Sequence, residues 1–225
     1  MANTALLRSE ELTQRASSLP VSGGESKFLE LPVPALKSLL IKGLARGAMA
    51  DITGLRSSGR TSLYLHILAQ ATAVGEVCAV IDAEDSFDPV SARAAGVKLE
   101  QVVWVRCRGN AEHALRATDL LLHAGGFGVV LLDLCEIPAR VLNRIPLSYW
   151  YRFRRAVEHT PGILLVCGET PQAKSCSAAH LELKRKQFDW SGRAPFLLLR
   201  SLASAVFLRK RSVQKMELLS IPWVA

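Results

Sequence analysis

The sequence has no uninterrupted apolar run of the roughly 20 residues that a membrane-spanning helix needs. Its most apolar late stretch, "APFLLLRSLASAVFLRKR", is broken by Arg200, and the start "MANTALLRSEELTQRASS" lacks the apolar core of a secretory signal. CxxC spacing is absent too: Cys78, Cys107, Cys135, Cys167 and Cys176 are odd in number and form no Cys/His ligand pattern. The histidines, His66, His113, His123, His159 and His180, show neither zinc spacing nor a visible Ser or Cys partner, so triad hydrolysis finds no support. No internal repeat or low-complexity tract occurs. These absences predict a soluble protein of a reducing, cytosolic compartment, in which buried thiols serve as small core residues.

What is present suits one folded domain. A chain of 225 residues, 49% hydrophobic and 21% charged, can bury one good-sized core but not two ordinary ones. Twenty-eight Lys and Arg against 20 Asp and Glu give a formal charge of +8, a balance that favours polyanions.

Residues 1–35 read as an N-terminal helix over Leu6 to Ser18 followed by a Gly/Pro/Ser-rich arm and linker, and residues 36–225 as the core domain. "ALKSLLIKGLARGAMADITG" predicts a short helix, a turn at Gly43 to Gly47 and a strand ending at Gly54. "TSLYLHILAQATAVG" places Leu63, Ile67, Leu68 and Ala71 on one helical face with Gly75 as the stop. "EVCAVIDAE", "QVVWVRC", "FGVVLLDL" and "ILLVCGET" are further apolar strands, separated by helical stretches at "DPVSARAAG", "AEHALRATDLLLHAGG" and "PLSYWYRFRRAVEHTPG". Strands that are apolar throughout and alternate with helices imply a mostly parallel sheet covered on both faces, with ligands at the strands' carboxyl ends. After Lys174, "HLELKRKQFDW", "PFLLLRSL", "AVFLRKRS" and "KMELLSIPWVA" predict shorter strands that extend the sheet in antiparallel fashion.

One strand–loop–helix unit carries a chemical signal. In a phosphate loop, GxxxxGK[ST], backbone N–H groups cradle phosphates, the lysine neutralises them and the hydroxyl helps hold magnesium. "GLRSSGRTS" puts Gly54, Ser57, Ser58, Gly59, Thr61 and Ser62 in such a loop, but position 60 is Arg60. Arginine keeps the charge on a larger planar fork that aims differently. Asp82, Glu84 and Asp85 close the next strand on the ligand face, as a metal site or as helix-capping carboxylates, and Asp88 before Pro89 reads as an N-cap.

"GLRSSGRTSL" and "AVIDAEDSFDPVSARAAGV" together resemble the ATPase core of the recombinase RecA, the second segment matching its "IDAEHALDP" region. The likeness runs from about Leu36 to Phe207 and includes "GGFGVVLLDL" and "GILLVCGETPQAK". It implies a RecA-like fold, Arg60 and Thr61 at the phosphate and magnesium positions, Glu84 at the catalytic glutamate, Asp133 at the metal-associated aspartate and Glu169 at the γ-phosphate sensor.

Three departures point away from an ATPase cycle: Arg60 for lysine, Ser91 for the adenine-stacking tyrosine, and Glu169 for a neutral glutamine. A lost stacking surface forfeits about 0.5–1.5 kcal/mol beyond buried area, and a carboxylate near polyphosphate adds repulsion. Such a shortened core is similar to the ImuA proteins, accessory factors of the bacterial mutasome, through "VPALKSLLIKGLARGAMADITG", the altered loop and "AKSCSAAHLELKR". That resemblance implies no ATP or magnesium requirement. Its implied role is non-enzymatic, in SOS-induced translesion synthesis beside an ImuB-like polymerase homologue, an error-prone replicative-type polymerase and RecA. The alternatives are a weak ATPase using Glu84, Asp133 and Thr61, with magnesium held by the last two, and a regulator of RecA filaments.

Arginines beside aromatics are what single-stranded DNA requires. "ARVLNRIPLSYWYRFRR" offers Arg140, Arg144, Arg152, Arg154 and Arg155, while helical spacing assigns Trp150, Phe153 and Val157 to the core. "LKRKQ" adds Lys184, Arg185 and Lys186, and "LRKRSVQK" adds Arg209, Lys210 and Arg211. The bland alternative for both groups is a solvated surface or an edge protected from aggregation.

Overall fold

The computed structural model describes residues 27–31, 33–210 and 213–222, without the side chains of 210, 213–214 and 220–222. The expected helix at Leu6 to Ser18 and the residue Arg211 lie outside the described residues, as does the side chain of Lys210.

Strand β1 (Phe28–Leu29) pairs with β2 (Leu44–Ala45) across helix α1 (Pro34–Leu39). The boundary drawn at residue 36 leaves Leu29 and Leu31 outside the core domain, whereas both side chains are buried in its main cluster. The turn expected at Gly43 to Gly47 contains β2, a strand too short to leave a periodic pattern.

The remaining strands, β3 (Ala48–Gly54), β4 (Cys78–Asp82), β5 (Val102–Arg106), β6 (Val129–Asp133), β7 (Ile163–Gly168), β8 (Ala179–Arg193), β9 (Phe196–Lys210) and β10 (Val213–Pro222), form a sheet in the order β10-β9-β8-β3-β7-β6-β4-β5. Pairing from β5 through β8 is parallel and the β8–β9–β10 extension is antiparallel.

Pleating divides the core. Ala50, Ile52, Val80, Leu131, Leu165 and Cys167 face helices α2 (Arg60–Ala73) and α3 (Pro89–Ala94). Met49, Ala79, Ile81, Val130, Leu132 and Val166 lie in the second cluster, with α4 (Ala111–Ala124), the short α5 (Ala139–Leu142) and α6 (Leu147–Glu158). Helix α2 buries Leu63, Ile67, Leu68 and Ala71 together. On α6, Trp150, Phe153 and Val157 are buried and the arginines stay outside, as the spacing predicts.

The segments "PFLLLRSL" and "AVFLRKRS" are not separate strands. They join in the 15-residue β9, because no Gly or Pro interrupts Leu199 to Val206; Ser201 to Ser204 stay paired with both β8 and β10, and Arg200 is the extra residue of a bulge opposite Asp189 and Trp190. No helix among the described residues is long and apolar enough to cross a membrane.

Candidate functional site

At the carboxyl end of β3 the chain turns through Leu55 to Gly59 into α2. Gly59, in the left-handed region at φ 89°, is the N-cap residue and provides no side-chain cap. Uncapped amides at the start of a 14-residue helix are the anion-binding element of such loops.

The side chains tell a different story from the backbone. Arg60, at the first position of α2, is only 6% exposed and its Nη1 has no hydrogen-bond partner among the described residues, whereas Thr61 is exposed. Its guanidinium therefore turns into the protein, where its charge acts on Asp133 and Cys135.

The loop interior is also filled. Ser58 is buried, and a Cβ on Gly54 would lie 2.5 Å from its Oγ, so only glycine fits there. Ser204 of β9 donates to the Ser58 carbonyl at 2.8 Å, and exposed Arg56 pairs with Glu136 beyond β6. The loop is thus fastened to β9 and to the turn that follows β6.

Beneath Arg60, Asp133 of β6 lies opposite Cys167 of β7 in the parallel register. Asp133 Oδ1 accepts from the Cys135 amide at 3.0 Å, which folds the chain back and brings Cys135 Sγ to 3.2 Å from Cys167 Sγ. Burial raises the Asp133 carboxyl above its ordinary range, against the Cys135 amide and the Arg60 charge. The hydrogen bond to Cys167 and then burial push the Cys135 thiol up. Burial likewise pushes up the hydroxyl of Tyr64, one turn along α2 from Arg60, with Asp133, Cys167 and Cys135 adding to the effect.

The acidic residues after β4 have separate roles. Buried Asp82 accepts from the amides of Ser86 and Phe87, each at 2.9 Å, and from Trp104 Nε1 at 3.1 Å, so it organises the loop. Asp85 pairs with Arg106 at 3.0 Å. Glu84 is half-buried, and a Cβ placed on Gly109 would lie 3.5 Å from its Oε2. Asp88 caps α3 and accepts from the Ser91 hydroxyl at 2.5 Å, so the residue at the adenine-stacking position is engaged in capping.

Glu169 is exposed at the end of β7 and lines a cleft of about 790 Å³ between the loop and β8, with Arg56, Lys184, Arg185 and Arg209. Within this cleft Thr53 Oγ1 and His180 Nε2 lie 2.6 Å apart, and Glu182 accepts from Arg209 at 2.7 Å.

The basic candidates divide. Arg140, Arg144, Arg154 and Arg155 are exposed and form no ion pair among the described residues, whereas Arg152 donates to Asp119 at 2.8 Å. Lys184 and Arg209 share Glu182, and Arg185 lies over the Phe188 ring; Lys186 is exposed. Sequence reading missed Ser204, Glu136 and the Cys135–Cys167 pair, because each contact joins residues far apart in the chain.

Residues 32–140 match the family model of the RecA N-terminal domain. The chain is 37% identical to Protein RecA of Rhodospirillum rubrum over 123 residues, 55% of this chain and 32% of that protein. It is 38% identical to Protein RecA of Deinococcus radiodurans over 136 residues, 58% of this chain and 37% of that protein. The matched stretch therefore spans about a third of those relatives. The crystal structure of the RadB recombinase superimposes with a TM-score of 0.63 at 17% identity, covering 85% of this chain and 94% of that one. The fold is RecA-like, and the chain carries a RecA-like core.

Proposed function

We propose that this RecA-like core is a non-enzymatic accessory protein of DNA repair, of the ImuA kind, serving translesion synthesis in the SOS response. The observation that carries the reading is the burial of Arg60. A guanidinium turned under α2 toward Asp133 is not placed to neutralise phosphates above the loop, so the group that should meet the β- and γ-phosphates faces the wrong way.

The other departures agree. Ser91 provides no aromatic face, and exposed Glu169 adds negative charge where the transferring phosphate needs none. What the backbone retains is the anion-binding helix start, so weak binding of a phosphate without turnover is consistent with this reading.

In this account the protein acts by contact. Its partners are the ImuB-like and error-prone replicative-type polymerase subunits, RecA, and single-stranded DNA through the exposed Arg140, Arg144, Arg154 and Arg155. The test is coprecipitation of the purified full chain with each polymerase subunit, beside an ATPase assay. Capture of a subunit without ATP turnover supports the reading; ATP turnover with no subunit captured would overturn it in favour of a weak ATPase.

A further inference from the structure

We propose that Asp133, Cys135 and Cys167 form a binding site for a thiophilic divalent cation of the zinc class, at the carboxyl ends of β6 and β7 beneath the first turn of α2. One carboxylate oxygen and two sulfurs lie within 4.8 Å of one another, and all cysteines of the chain are free thiols. Two thiolates and a carboxylate are an established ligand chemistry for zinc, and three protein ligands leave a fourth position open.

The local chain geometry builds this arrangement. Register places Asp133 beside Cys167, and the Asp133 side chain, by accepting from the Cys135 amide, turns Cys135 back over the same point. Zinc–sulfur bonds of about 2.3 Å in a tetrahedral site hold two sulfurs about 3.8 Å apart. The pair at 3.2 Å reaches that separation by opening about half an ångström. Cys135 is only half-buried, which gives the ion a path in, while Asp133 and Cys167 are enclosed.

A second, independent observation concerns charge. Arg60 is buried to 6% exposure beside this cluster, with its Nη1 lacking a hydrogen-bond partner among the described residues. A buried guanidinium with an unsatisfied N–H donor is costly. When Cys135 and Cys167 release their protons to solvent on metal binding, two thiolates and the Asp133 carboxylate carry three negative charges. A divalent ion and Arg60 offset all three, so the ligated cluster and Arg60 together are neutral.

This differs from the magnesium position of a phosphate loop, which the resemblance assigns to Thr61 and Asp133. Magnesium takes oxygen ligands in octahedral geometry, and two sulfurs select softer ions. The site therefore occupies the aspartate that a nucleotide-bound magnesium would use. The proposal stands on the thiol geometry and does not need the accessory role.

Cobalt(II) titration of the reduced full chain is the test, since cobalt replaces zinc and reports its ligands in its spectrum. The expected result is one equivalent bound with thiolate-to-cobalt charge-transfer absorption, displaced by zinc. Cys135→Ser and Cys167→Ser should each weaken binding more than about tenfold, and Cys176→Ala should leave it unchanged. X-ray absorption on the zinc-loaded wild type, which needs no variant to fold, should count two metal–sulfur bonds. Absence of the charge-transfer band, its survival in both serine variants, or a sulfur count other than two overturns the proposal.

Discussion

The hydroxyl of Ser204 donates to the carbonyl oxygen of Ser58 at 2.8 Å, joining β9 to the loop before α2 across 146 positions of sequence. Both residues are buried, so the bond has no water to replace it. Ser204→Ala leaves a buried carbonyl without this donor, and an equilibrium denaturation curve should show a loss of about 1–2 kcal/mol. Hydrogen exchange at Ser57 to Gly59 should rise in the same variant, since the loop loses its attachment to the antiparallel extension.

At the opposite end of the sheet, Arg46 pairs with Glu76 with side-chain exposures of 10% and 3%, and also donates to the Pro161 carbonyl at 3.0 Å. Gly128 permits this, because a Cβ there would lie 2.1 Å from Glu76 Oε2. Removing one partner of a buried pair strands the other charge. Arg46→Ala is expected to cost about 3–5 kcal/mol in denaturant unfolding, and Gly128→Ala to destabilise for steric reasons alone.

Asp51 lies in the middle of β3, 1% exposed, and burial raises its carboxyl to about 6, against the amides of Ala173 and Gln172 and the Ser177 hydroxyl. A native value above the ordinary 3.8 means the folded state holds its proton longer than the unfolded state. The associated stability is full below about pH 4 and is lost as pH rises through about 6. Asp51→Asn should therefore gain stability over wild type, by up to about 3 kcal/mol, as pH is raised from about 4 to 7. Denaturant midpoints of both proteins at the two pH values check the sign.

If the α5 and α6 arginines meet DNA, each contacted phosphate contributes to salt dependence. Arg154→Ala and Arg155→Ala should each reduce the log–log salt slope of single-strand binding by about 0.7, with a uniform loss of affinity across sequences. Arg152→Ala should change it least, because Arg152 is already paired with Asp119. Fluorescence anisotropy over a salt series measures these slopes.

The parallel half of the fold was legible because its strands are continuously apolar and each is followed by helical spacing or a glycine stop, as in Val129 to Asp133 and Leu63 to Gly75. The face of α6 was legible as well, since a period of 3.6 separates Trp150, Phe153 and Val157 from the arginines. The single long β9 was obscured by Arg200, a charged residue that an exposed strand tolerates. The orientation of Arg60 could not be read from its position in a motif, because it depends on space between α2 and β6. Nor could the Cys135–Cys167 pair be read, since strand register and the Asp133 turn create it.

The account turns on whether the loop of Arg60 supports catalysis. Steady-state hydrolysis of ATP with magnesium by the wild-type chain, run beside Glu84→Gln, tests this most directly. The account predicts equal, background rates for the two proteins. Turnover by wild type that disappears in Glu84→Gln would contradict it, and would make Arg60 a working substitute for lysine.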